Sequence, residues 1–231
     1  MSATAVAVRK PFPASYRRTA VLVGVLFLFA TATFAAGSSF ITSYFAGAGG
    51  QTSTLLAGVL LEAISAVAVA GIGVAMWPIL KRYNVGLAHG YRALRIGEGL
   101  MIISAGVYML TTKNEFFRYD AFIYMFTASA GLIFSYLLYV SGLIPRFLAL
   151  LGLVGYTVLA IGIPVTLMST VRLDEGWGLI FVAAGAVFEF VVPLLLIIKG
   201  FSTRKFSTRK EEPRLGGEPL SDPLKPIAVP V

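Results

Sequence analysis

LLEAISAVAVAGIGVAMWPILKRYNVGLAHGYRALRIGEGL, residues 60–100, decides how this chain is read. From Ala63 to Leu80 no residue is charged, and a helix of that length crosses most of the roughly 30 Å hydrocarbon core of a bilayer. The basic pair Lys81-Arg82 ends the run, and the connector RYNVGLAHGY (82–91) follows. Arg92, Arg95 and Glu98, three residues apart, then stand at the mouth of the next apolar stretch. Helix, short basic turn, helix is the grammar of a polytopic membrane protein.

The rest of the chain repeats that grammar. Of 231 residues, 57% are hydrophobic and only 13% charged, too little polar material to cover a soluble globule. Reading outward gives spans at about 19–45, 53–80, 92–110, 121–141, 147–168 and 177–198, with breakers such as AGAGGQT (46–52) and SGLIPR (141–146) between them. The expected fold is therefore all-α, with six transmembrane helices (19–199), a short basic head (1–18) and a Pro-rich tail (200–231). The first span begins like a secretory signal, with a basic flank, an apolar core and small residues from Ala30 to Ala36. Its apolar character nevertheless runs on to Phe45, which favours a retained helix.

Charge sets the expected orientation. With both termini in the cytoplasm, sixteen of the nineteen Lys and Arg residues fall inside, and only Lys113, Arg118 and Arg172 fall outside. The net charge of +8 is spread between apolar runs instead of forming one basic face, so nucleic acid is not an expected partner. The lipid bilayer is, through Lys81, Arg82, Lys199, Arg204 and Lys205 as candidate headgroup contacts. FSTRK occurs twice in succession (201–210), either as an anionic-lipid patch or as a solvated flank.

Candidate chemistry lies with ionisable residues inside the spans, because each is costly there. Glu62, Glu98 and Glu189 qualify. Arg95 can reach Glu98 at i+3 on the same helix face, with Arg92 one turn earlier. Pro193 lacks the N–H that would pair the Glu189 carbonyl, which leaves a carboxyl and a free carbonyl on one residue. For each glutamate the alternative is interhelical packing, and around Glu62 the small residues Ser65 and Ala66 suit close approach.

Several chemistries lack their residues. There is no cysteine, His89 is the only histidine, and no lysine or aspartate lies within a predicted span. Thiolate metal sites, bis-histidine haem, a His-rich zinc site, a retinal Schiff base and an aspartyl dyad are all excluded within one chain. No cofactor or metal is expected, and enzymatic activity is not the leading expectation.

Residues 60–100 together with VFEFVVPLLLIIKGF (187–201) resemble the prokaryotic membrane family known as domain of unknown function 4386. The matching features are Glu62 in LLE, the block from Pro78 to Glu98, and Glu189 followed by Lys199, Gly200 and Phe201. The resemblance implies a six-helix bundle in a bacterial cell membrane with glutamates at these places, and it implies no activity. Two functions fit these residues. One is binding or moving a small ligand or proton at an intramembrane site built from Glu62, Glu98, Glu189, Arg95 and Arg92. The other is an accessory or scaffold subunit whose glutamates are packing contacts and whose basic inner face and tail recruit lipid or a partner protein.

Overall fold

A lipid-facing chain must satisfy its backbone hydrogen bonds within each segment, so continuous apolar runs fold as helices. The computed structural model describes residues 14–47, 51–168, 173 and 176–201. The head before Ala14 and most of the tail, Arg204 and Lys205 among it, lie outside these. The described residues hold six α-helices: α1 (Ala14–Phe45), α2 (Thr52–Leu80), α3 (Val85–Thr112), α4 (Tyr119–Ser141), α5 (Arg146–Met168) and α6 (Leu179–Ile198), the last preceded by a 3-10 turn at Gly176–Gly178. There is no strand among the described residues. By length and composition α1 to α5 each suffice to cross a membrane. The last crossing consists of Gly176–Ala183 and Gly185–Ile198, bent by 42° to each other, and qualifies when counted as one broken span.

Local residues set the ends. Gly142 (φ 64°) and Gly200 (φ 72°) adopt the left-handed conformation that stops a helix after α4 and α6. Asn84 caps α3 by accepting a hydrogen bond from the Leu87 amide at 2.9 Å. That cap starts α3 at Val85, seven residues before the expected start of its span, so Gly86 to Tyr91 are helical and not a connector. The shift places Arg95 and Glu98 about 10 Å deeper along the helix than a start at Arg92 would. Asp120, just outside the expected fourth span, is buried in the first turn of α4, where its charge suits the helix N-terminus.

The helices run alternately up and down, each packing on its neighbours in sequence, and α6 returns to pack on α1. The result is a closed ring. Within lipid, apolar surface alone does not hold helices together, and close approach at small residues does. A Cβ on Gly37 would meet the Gly58 carbonyl at 2.8 Å, one on Gly99 the Ala66 carbonyl at 2.8 Å, and one on Gly24 the Pro193 carbonyl at 2.7 Å. Similar additions at Gly97, Gly131 and Gly162 would strike Phe126, Tyr156 and Phe181. Between them these contacts cover all six neighbouring pairs. Where the ring closes, Arg17 donates to the carbonyls of Leu196 (3.1 Å), Ile197 (2.7 Å) and Ile198 (3.2 Å) at the end of α6.

Candidate intramembrane site

Two regions share the interior of the ring. Toward the end that carries the termini, Phe27, Tyr91, Phe134, Tyr156 and Phe188 form an aromatic septum drawn from five helices. Tyr91 and Phe134 stack at 5.0 Å, Phe27 and Phe134 at 5.9 Å, and Phe188 meets Tyr156 edge to face at 5.7 Å. Beyond the septum lies a cavity of about 630 Å³.

The far halves of α1 and α6 border this cavity. On α1 the lining runs from Phe27 to Thr42, about 22 Å along the axis. On α6 it runs from Leu179 to Glu189. Ala35, Ser39, Thr42 and Leu179 are exposed, so the cavity reaches the surface between these two helices at the end opposite the termini. The glycine contact and arginine bonds that join α1 to α6 lie at the other end.

Arg95, Glu98 and Glu189 line the deep part. Arg95 is 3% exposed and Glu98 4%. Arg95 Nη1 donates to Glu98 Oε2 at 2.9 Å, and the Thr127 hydroxyl donates to Glu98 Oε1 at 2.6 Å, so both oxygens of Glu98 are met. Tyr156 donates to Glu189 Oε1 at 2.9 Å across the α5–α6 interface. The Arg95 guanidinium lies 5.4 Å from the Phe27 ring centre and 5.7 Å from that of Tyr91, within range of cation–π attraction. Its Nε and Nη2 are buried and make no hydrogen bond of good geometry, and the equally buried Tyr91 hydroxyl beside the guanidinium is a polar neighbour that interacts with it electrostatically. Buried donors left unmet are costly, and most native ones find a partner.

Glu62 stands apart. It is 1% exposed and does not line the cavity, and its Oε1 accepts from the Tyr119 hydroxyl at 3.2 Å. The Ser38 hydroxyl, on the cavity wall, is 3.5 Å from that of Tyr119, which separates Glu62 from the open space. Arg92 also lies outside the lining. It belongs to an interfacial group at the termini end, 3.4 Å from His89 Nδ1 and 5.2 Å from the Trp77 ring centre, with Lys81 Nζ 3.9 Å from the same ring centre. Arg82 lies over the Tyr16 ring, and Lys199 is exposed at this end. Arg95, Glu98 and Glu189 are thus brought together, and Glu62 and Arg92 are not.

Thr127 and Tyr156 carry polar contacts to Glu98 and Glu189 that the sequence reading did not single out. One signal was available for the wall itself. Thr31, Ala35, Ser38 and Thr42 recur every three to four residues, a small and hydroxylic stripe on one face of an apolar helix.

No curated protein and no solved structure matches this chain. The model of the family described as Domain of unknown function (DUF4386) matches residues 22–116 and 109–200, which take in all six helices. The chain belongs to that family.

Proposed function

We propose that this integral membrane protein binds a small molecule in the cavity between α1 and α6, with Arg95, Glu98 and Glu189 as the polar groups at its floor. The observation that carries this reading is the convergence of a buried arginine and two glutamates from two helices on the lining of one cavity of about 630 Å³. That volume falls in the range of small-molecule sites, and charged side chains within a membrane bundle mark ligand or ion pathways. The distribution of lysine and arginine supports cytoplasmic termini in a bacterial cell membrane, with the cavity open to the outer side. A septum on one side and an opening on the other suit a site served from one side at a time, as in a carrier or a receptor.

The cysteine-free sequence allows a direct test. Ser39→Cys on the cavity wall is expected to react with a membrane-impermeant maleimide added outside intact cells; protection from outside and reaction only from the cytoplasmic side would refute the orientation. Small molecules that co-purify with the protein, identified by mass spectrometry, are expected to be retained by Glu62→Gln and lost from Glu189→Gln and Arg95→Lys. Identical content in all four proteins would rule out the site. Glu62 itself fits the second reading, an interhelical packing contact, because its hydrogen bond to Tyr119 joins α2 to α4 behind the cavity wall.

A further inference from the structure

The geometry points to a ligand with one positive charge and an apolar body: an alkylammonium whose head meets Glu189 and whose chain lies along the cavity toward the far end of α1. This rests on the cavity being a binding site and adds the class of ligand. The two carboxyls of the deep region are not equally committed. Glu98 accepts from Arg95 Nη1 at 2.9 Å and from the Thr127 hydroxyl at 2.6 Å, so its charge is balanced and both oxygens are met. Glu189 accepts only from the Tyr156 hydroxyl, at 2.9 Å on Oε1, while the ion pair of Arg95 goes to Glu98. Glu189 is half-buried, and its Oε2 keeps accessible surface and makes no hydrogen bond. On α6 it shares a face with Val182 and Ala186, which line the cavity as it does.

Charge decides the sign of the head. Arg95 is the only basic residue on the described lining and is matched by Glu98, which leaves the ionised Glu189 as one uncompensated negative charge. A carboxylate within a membrane bundle is costly unless a cation meets it. An anionic head would add a second like charge, whereas a single ammonium completes the balance and donates to the free Oε2. A hard metal ion is less well served, because it asks for six or more oxygens. Among the described residues no three His, Cys, Asp or Glu side chains are grouped to hold one. The walls specify the rest of the molecule. Val69, Ile72, Ile102, Ile123 and Val182 present apolar surface. Phe34 and Tyr124 also line the cavity, and aromatic rings attract alkylated ammonium groups. The Ser39 hydroxyl is already donated to the Ala35 carbonyl within α1, which lowers the polarity of that wall. The lining extends about 22 Å along α1, against about 15 Å for one leaflet of a bilayer, so a lipid-length chain fits with its head at the floor. A proton on Glu189 would answer the same charge and would leave the site indifferent to a charged head.

The test is photolabelling of the purified protein in phosphatidylcholine nanodiscs. The probe is a long-chain primary amine with a diazirine in its chain, compared with the matching alcohol and the matching carboxylate at equal content in the disc. The amine is expected to label residues 27–42 or 179–189 about tenfold more than either comparison does. Glu189→Gln, which keeps the shape and an acceptor for Tyr156 but loses the charge, is expected to reduce that labelling by a similar factor, and Glu62→Gln to leave it unchanged. Ala186→Trp, which fills the cavity and leaves Glu189 in place, is expected to reduce it as well. If Glu189→Gln does not fold, the head-group comparison and Ala186→Trp still decide. Equal labelling by the alcohol, stronger labelling by the carboxylate, or full labelling in a folded Glu189→Gln would overturn the inference. Should another small molecule co-purify with wild type but not with Glu189→Gln while the amine fails to label, the ligand class is wrong and the cavity reading stands. Full labelling by the amine in a folded Ala186→Trp would place the ligand outside the cavity and overturn both.

Discussion

Thr127 sits on α4 and satisfies a carboxylate on α3, a contact of 2.6 Å that completes the coordination of Glu98. Replacing it with valine keeps the shape and leaves Glu98 Oε1 without that partner. Thr127→Val is expected to cost about 1 kcal/mol, the scale of hydrogen bonds inside membrane bundles, seen as a fall of a few degrees in the unfolding midpoint in detergent. An unchanged midpoint would mean that the bond contributes nothing. The pairing of Arg95 with Glu98 was legible in sequence because both lie on one helix at a spacing that local geometry fixes. The partners Thr127 and Tyr156 were not, since they depend on which helices stand side by side. The three glutamates looked alike by depth. Glu62 differs from the other two in that it does not line the cavity, its carboxyl being met by Tyr119 behind the wall.

At the scale of elements, the six apolar runs were readable because lipid demands them, whereas the inward face of each was not. A helix in a bilayer is apolar all round, so hydrophobic periodicity carries little information about which side meets the bundle. The hydroxylic stripe of α1 is an exception, and its position along the cavity is where a signal-like helix acquires a specific place in the structure. Boundaries depended on capping: Asn84 is an ordinary N-cap, and recognising it would have started α3 at the observed residue. The other end of α3 carries a strained residue. Lys113 adopts φ 58°, a left-handed conformation that disfavours a side chain with a Cβ. Lys113→Gly is expected to raise stability by about 1 kcal/mol, read as a higher unfolding midpoint. A lower midpoint would show that the lysine makes a contact outweighing the backbone strain.

For the whole molecule, the ring is closed by an arginine that the sequence presents as one more basic flanking residue. Arg17 donates to three carbonyls at the C-terminal end of α6, where a cation also complements the helix dipole. Arg17→Met is expected to destabilise the bundle by about 1–2 kcal/mol and to increase hydrogen exchange at both α1 and α6. Exchange raised in α1 alone would mean that the two helices are not coupled through this residue. The aromatic septum has an electrical consequence. If the cavity fills with water from one side of the membrane it takes the potential of that side, and the membrane voltage then falls mainly across what remains. From Val85 to Arg95 that remainder is about 15 Å along α3, against about 30 Å for the full hydrocarbon core. Under that condition the field across the septum would be roughly double that in the surrounding bilayer, and a unit charge displaced across the septum would cross nearly the whole voltage, worth about 2.3 kcal/mol per 100 mV.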